Sequence, residues 1–306
     1  MYALLASHPN ISMVRRTNMW RYFYNRYGDL SQSDNFERCL TSMLQYKRMR
    51  HLKPDADRIR REFWQGEPTY GRLFALFHEH NAQRAGKPRW GDKSLHTEHH
   101  ADEVFEVYPD AKMIHMIRDP RDRYASMLKR YERHEGRVAG ATGRWLSSTR
   151  QAERNQQRYP DNYMNVCYET LASRPEETLH EICAFINEEY SSAMLTMNGT
   201  PELRNRGGNS SYGDFEPGVI STRSIGRFRE VLSSSEIAFI QMFSGRTMDR
   251  YGYESEPVRQ SLAGQVAFYL VDVPVNLARM IGWLALSANG QKREPVPASK
   301  VLAAGA

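Results

Sequence analysis

Cysteine is scarce in this chain: Cys39, Cys167 and Cys183 are the only three in 306 residues. An odd count without paired spacing implies neither a disulfide framework nor a zinc site. The expected setting is a reducing compartment, the cytoplasm. The opening MYALLASHPNIS has no charged stretch before its apolar run and no cleavage pattern, so it does not read as a signal peptide. No apolar run is read as long enough for a membrane-spanning helix. Repeats and low-complexity blocks are missing too. The His-rich run HTEHH (96–100) lacks the His-Glu-x-x-His spacing of zinc proteases, so no metal is expected.

What is present suits a globular protein with a sizeable core: 40% hydrophobic and 25% charged residues. Lys and Arg outnumber Asp and Glu by 42 to 36, a net charge of +6. That excess fits an anionic partner, or merely a slightly basic solvated surface. The basic residues form no stripe with interleaved aromatics, so nucleic acid is not the expected partner.

Hydrophobic spacing predicts the elements. Met1, Leu4 and Leu5 share a helical face, and His8-Pro9-Asn10 reads as its stop. Asp34 or Asn35 is expected to cap a helix burying Phe36, Leu40 and Met43. Tyr70, Leu73, Phe74 and Phe77 mark another helix. RWGDKS (89–94) reads as a turn-like connector, leading to a helix with Ala101, Val104, Phe105 and Tyr108 on one side. AKMIHMI (111–117) and MNVCY (164–168) are short, apolar and bounded, as buried parallel strands are. Pro175 starts a helix burying Leu179, Ile182, Cys183 and Ile186, and SSSE (233–236) is a capping-box pattern. Strands alternating with helices predict an α/β fold, a parallel β-sheet flanked by helices. Residues 262–286 read as one or two amphipathic helices. They are expected to pack on the domain or make a dimer contact with a second subunit; the alternative is a peripheral, interfacial membrane helix. The tail from about 288 is polar and Pro/Ala/Lys-rich, the composition of a disordered segment.

HMIRDPRDRYASMLKRY (115–131) carries the chemistry. The strand is expected to end at Arg118. Asp119 suits the N-cap, Pro120 the first helical position, and Asp122 the third place of a capping box. Arg118 then stands at the carboxyl end of a parallel strand, where open α/β sheets bind ligands. Ser126 and Arg130, at i and i+4 on the next helix, share one face. Two guanidiniums and a hydroxyl converging on one anion suit phosphate geometry. The competing reading is a salt-bridge network among Arg118, Asp119, Arg121 and Asp122 that only locks the corner.

This segment resembles the 3′-phosphate-binding motif of sulfotransferases that use PAPS, 3′-phosphoadenosine 5′-phosphosulfate. There a strand ends in Arg, and a Ser eight positions later binds the same phosphate; Arg118 and Ser126 match. WGDKSLHTEHHADEVFEVYPDAKMIHMIRDPRD (90–122) is similar to the family's run from Trp-Gly-x-Lys to Arg-Asp-Pro-Arg. VCYETLASRPEETLHEICAFI (166–186) resembles a strand ending in Tyr-Glu-x-Leu, with Tyr168 near the nucleotide. SIGRFREVLSSSEI (224–237) resembles a late loop closing over the nucleotide, with Arg227 and Ser224 matching. Joint order over roughly residues 1–255 is more specific than any one motif. The resemblance implies a P-loop NTPase-like sulfotransferase domain over 1–255, a C-terminal helical segment over 256–287 and a tail over 288–306. It also implies PAPS as donor, PAP as product, no metal, and a hydroxyl-bearing carbohydrate, lipid or small-metabolite acceptor.

In that family LLASHPNIS follows a first strand and an Arg-Ser-Gly-Thr-Thr loop that binds the 5′-phosphosulfate at a helix N-terminus. Neither precedes Met1 here. The expectation is a start assigned at an internal Met, with a shortened gene as the alternative. The resemblance also implies that Lys93 stabilises the leaving phosphate oxygen, against the reading of a surface lysine. Where many branches carry a Glu base, this chain has Val14, Arg15 and Arg16. His96 is then the candidate base, with His99 behind it, although a surface His cluster is the default for any one of them. Two alternatives stay open: a relative that binds PAP without turnover, and a P-loop kinase-like phosphotransferase. No Gly-x-x-x-x-Gly-Lys-Ser/Thr loop supports the kinase.

Overall fold

The computed structural model describes residues 1–130, 137–201 and 218–290, with side chains over 1–128, 138–201 and 218–286. The chain divides into two compact units. The first holds 1–111 and 191–205, the second 112–190 and 206–292, and residues 293–306 are grouped with the first but lie outside the described ones.

In the first unit a short helix α1 (Tyr2–Ala6) buries Leu4 and Leu5. It stops ahead of Pro9, as the sequence predicts. Lys87 donates from Nζ to the carbonyls of Ala6, His8 and Ile11 at 2.8–2.9 Å, so one ammonium gathers this helix end and the start of the next strand. That strand, β1 (Ile11–Arg15), is followed by α2 (Ser33–Gln45) and α3 (Tyr70–Arg84). These helices bury Phe36, Leu40, Met43, Leu73, Phe74 and Phe77 in one cluster. Gln32, not Asp34 or Asn35, holds the N-cap position of α2. Asn35 instead donates to the Asp29 carbonyl at 3.0 Å, and Asp34 stays in the first turn, where a carboxylate suits the helix dipole.

RWGDKS is not a connector. Arg89–Lys93 forms strand β2, parallel to β1, with Ile11 opposite Arg89 and Arg15 opposite Lys93. The alternation missing from its sequence is supplied by neighbours: Trp90 stacks on His78 of α3 at 4.6 Å, and Gly91 lies against the Met13 sulfur. Helix α4 (Ala101–Val107) buries Ala101, Val104 and Phe105. It ends one residue before Tyr108, whose hydroxyl leaves the expected face and donates to the Gly71 carbonyl at 2.6 Å.

The second unit is built on strands β3 (Met113–Ile117) and, later in the chain, β4 (Tyr163–Cys167), paired in parallel with Ile117 opposite Cys167. Between them run α5 (Pro120–Arg130) and α6 (Arg137–Arg158). Tyr168 is not a strand residue: it opens a short helix, Tyr168–Ser173. Helix α7 (Pro175–Phe185) has Pro at its start and buries Leu179, Ile182 and Cys183, as predicted. Helix α8 (Ser234–Arg250) carries the predicted capping box, Ser233 and Glu236 each bonding the other's backbone N–H. Ile117, Tyr124, Trp145, Phe228 and Phe239 meet in this unit's core. The whole is an α/β fold with parallel strand pairs, matching the expected class.

The run 262–286 forms a short helix α9 (Leu262–Ala267), a π-helical turn at Phe268–Asp272 and α10 (Val273–Gly290). It packs on α6, where Gly143 admits Met280 and Trp283. Contrary to the sequence reading, the 25 residues Leu262–Leu286 are long and apolar enough to cross a membrane by length and composition. Helix α10 also continues to Gly290, past the expected start of the tail. The expectation of disorder beyond it falls outside the described residues.

Candidate functional site

Strand register brings the central pair together. Arg118 and Tyr168 each follow immediately after the opposed ends of β3 and β4. Their side chains therefore leave neighbouring strands side by side, and the Arg118 guanidinium lies over the Tyr168 ring, 4.5 Å from its centroid. Arg118 donates from Nη2 to the Ser224 carbonyl at 2.7 Å. The Tyr168 hydroxyl and Ser224 Oγ are 2.6 Å apart. Arg118, Tyr168 and Ser224 thus form one cluster. The Arg118 Nε is buried and finds no partner among the described residues.

A cleft of about 240 Å³ opens beside this cluster, lined by His115, Arg118, Arg123, Trp145, Ser148 and Tyr168 among others. Trp145 donates from Nε1 to the Arg118 carbonyl at 2.8 Å, tying α6 to the strand end. Both ring nitrogens of His115 are engaged, with the Tyr163 hydroxyl at 2.6 Å and Ser148 Oγ at 3.1 Å, which fixes one wall. Arg123 and Trp145 were not foreseen. Arg123 had a signal, lying three residues before Ser126 on the same helix face. Trp145 had none, because only the tertiary path of α6 brings it to the strand end. Ser126 is half-buried on α5, one turn beyond Arg123. The Arg130 side chain lies outside the described residues.

The acids of the motif do not face the cleft. Asp119 accepts from its own helix at Arg121 N, 2.8 Å, as an N-cap does, and pairs with the Arg121 guanidinium through both oxygens. Arg121 also bonds Gln241 and lies over Phe228, 4.2 Å from its ring centroid. Asp122 does not close a capping box. It accepts from the N–H groups of Gly226 (2.6 Å) and Phe228 (2.9 Å), and the Asp119 N–H goes to Glu169 instead. Burial raises the pKa of both Asp122 and Glu169. So the corner-locking network exists, but it uses Asp119, Arg121 and Asp122 and leaves Arg118 to the cleft. Gly226 has φ +74, a backbone conformation that residues with a side chain rarely adopt. Glycine is therefore what lets the loop turn under Asp122's grip. Arg227, in the same loop, lies 3.9 Å from Glu230.

Lys93 and His96 belong to the first unit, at the carboxyl end of the β1–β2 pair. Lys93 is the exposed last residue of β2. His96 sits at φ +66, uncommon for a residue with a side chain, where it opens a 3₁₀ turn (Thr97–His100). Just ahead of it, Thr17 and Ser94 (2.8 Å) both donate to Asp92 Oδ2, and the Asn18 N–H donates to Ser94 Oγ at 2.8 Å. His96, Glu98 and His99 can bring one donor atom each within 4.8 Å of one another.

Asp92 Oδ1 is buried without a partner among the described residues, and desolvation pushes its carboxyl up to about 6 against the pull of the Thr17 and Ser94 hydroxyls. A native value above the unfolded one means that the folded state holds the proton more tightly. Stability should therefore fall as pH rises from about 4 to about 6, by up to about 3 kcal/mol from this group. Calorimetric melting across that window should show the slope flattened in Asp92→Asn. An unchanged slope would assign it elsewhere.

A model of the sulfotransferase family matches residues 1–192. The chain belongs to the sulfotransferase family. Among solved structures, this family member resembles a sulfotransferase domain from the Synechococcus PCC 7002 olefin synthase at 17% identity and a TM-score of 0.53, over 84% of this chain and 90% of that one. A sulfotransferase domain from the curacin biosynthetic pathway aligns at 14% identity and a TM-score of 0.49, over 83% and 93%. The first of these likenesses concerns the fold alone. No curated protein sequence matches. Family membership favours sulfuryl over phosphoryl transfer, and so weighs against the kinase alternative.

Proposed function

We propose that this sulfotransferase-family member moves a sulfuryl group from PAPS to a hydroxyl of a carbohydrate, lipid or small-metabolite acceptor. The observation that carries the donor is the Arg118 guanidinium. It is stacked on Tyr168, anchored at one nitrogen by Ser224, and buried at Nε without a partner among the described residues. A pre-oriented guanidinium with unused donor capacity suits a phosphate dianion. Arg118 and Ser126 take the 3′-phosphate, with Arg130 one turn beyond Ser126 on the same helix. Tyr168 lies by the nucleoside, and the loop of Ser224 and Arg227 closes over it.

In the transfer, the acceptor oxygen attacks sulfur in line while the bond from sulfur to the bridging oxygen breaks. PAP leaves with that electron pair. The protein's work is to position the partners and to stabilise spreading negative charge. Lys93 is assigned to the leaving oxygen and His96 to the acceptor's proton.

Calorimetric titration of the full chain with PAP, using 5′-AMP as control, tests the donor. PAP should bind at least about tenfold more tightly, the worth of one charge-assisted phosphate contact. Equal affinities, or no PAP binding, would overturn the reading.

A further inference from the structure

The turn after β2 brings together side chains that the transfer reading uses only in part. His-Glu-x-x-His spacing serves an α-helix, where residues four apart share a face. In a 3₁₀ turn residues three apart eclipse instead. Thr97–His100 is such a turn, and His96 precedes it at φ +66, a backbone conformation uncommon for a residue with a side chain. The His99 N–H donates to the His96 carbonyl at 3.2 Å and closes the turn. The imidazoles of His96 and His99 are stacked, with ring centroids 6.2 Å apart and planes 26° apart. Glu98 lies between them in sequence, and its Oε1 is 3.9 Å from His99 Nε2.

One donor atom from each of the three falls within 4.8 Å of the other two. Two ligands on one zinc at its usual bond lengths stand about 3.4 Å apart in tetrahedral geometry, so side-chain shifts of about 1 Å complete the set. The Glu98 and His99 side chains are each only 18% exposed, so little ordering is left to do. The backbone beneath them is already held. The Leu95 N–H donates to Asn18 Oδ1 at 3.3 Å, and the Asn18 N–H to Ser94 Oγ at 2.8 Å. His100 is outside the set, since its Nδ1 lies 3.8 Å from Glu103 and the Arg26 charge acts on it. Three protein ligands leave a coordination position open to water, as catalytic zinc sites do. Two imidazoles and a carboxylate suit zinc and its transition-metal neighbours better than magnesium or calcium, which prefer oxygen shells.

We propose that His96, Glu98 and His99 bind one divalent transition-metal ion, zinc or a neighbour of it, through two imidazole nitrogens and a carboxylate oxygen. The site stands on this geometry and not on the transfer reading, yet it bears on that reading. A neutral imidazole has one nitrogen lone pair, and a metal that takes it leaves His96 unable to accept the acceptor's proton. The bound ion therefore competes with the base role of His96.

The test uses the full chain without a histidine tag, stripped with EDTA and dialysed. Co²⁺ is titrated in and followed by its visible absorption bands, Zn²⁺ is added in competition, and calorimetry records Zn²⁺ and Mg²⁺ directly. The variants are His99→Ala and the near-isosteric Glu98→Gln, each checked by circular dichroism; Glu98→Gln carries the comparison where His99→Ala does not fold. Wild type should take up Co²⁺ saturably, release it to Zn²⁺ and prefer Zn²⁺ to Mg²⁺. Each variant should bind Zn²⁺ at least about tenfold more weakly. Absence of saturable Zn²⁺ binding by wild type, or Mg²⁺ binding as tight as that of Zn²⁺, overturns the proposal and leaves Glu98 and His99 as an ordinary ion pair. Equal Zn²⁺ affinity in wild type and either folded variant overturns it as well, because the ion would sit elsewhere.

Discussion

Arg118→Ala is expected to weaken PAP binding about 100-fold while leaving 5′-AMP within about threefold, since losing one well-placed charged contact costs about 2–3 kcal/mol. The selectivity follows from the proposed 3′-phosphate role, and its size from the state of the guanidinium. Arg118 is held by Tyr168 and the Ser224 carbonyl rather than by an acid, so its charge is not already neutralised by a carboxylate bonded to it. The nearest acids of the motif are engaged elsewhere, Asp119 with Arg121 and Asp122 with backbone N–H groups. Arg118→Lys keeps the charge but loses the planar fork and the stacking, and should fall between the two. Calorimetry with both nucleotides on each variant makes the measurement. Equal loss for PAP and 5′-AMP would remove Arg118 from contact with a 3′-phosphate.

Asp119→Ala should destabilise the protein by about 3–5 kcal/mol, the cost of stranding a buried charge. Arg121 is 3% exposed and depends on Asp119 for two of its three guanidinium nitrogens. Its third bonds the neutral Gln241, and its face lies on Phe228, so among the described residues no other acid is bonded to it to take over. The variant also loses the cap on the Arg121 N–H. Urea denaturation with an unchanged m-value would report the loss as stability. The double variant Asp119→Ala/Arg121→Met should recover much of it, because no unpaired charge remains inside. A single-variant loss below about 1 kcal/mol would show that the pair is not what holds this corner.

The parts of the fold legible in sequence were those with strong local signals. Helix α7 announces itself through Pro175 and its apolar spacing, helix α8 through the Ser233–Glu236 box, and β3 through an apolar run bounded by Pro109-Asp110 and Asp119-Pro120. Strands β1 and β2 carry no such signal. Arg89–Lys93 is strand only because β1 and Trp90's partner on α3 accept it there, information held in the tertiary structure. At the site, Arg118 was readable from its place at a strand end before an N-cap. The division of labour in RDPRD was not. The spacing of Asp122 equally suited a capping box, and what claimed it were N–H groups more than 100 residues away in the chain. The cleft wall from Trp145 depends on the path of a long helix, which no local pattern encodes.

The pairing of Ile117 with Cys167 has a bearing on how such a protein can change over generations. Arg118 and Tyr168 are held side by side by hydrogen-bond register, each one residue past a paired strand end. The chain that joins the strands is not the ruler that spaces them. Lengthening or shortening a surface turn within that connection should leave the stacked pair where it is. The same strand ends can therefore keep the stacked Arg118–Tyr168 corner while the loops around it drift, so the most diverged parts of related chains should be the connections, with the two strand-end residues as fixed points between them.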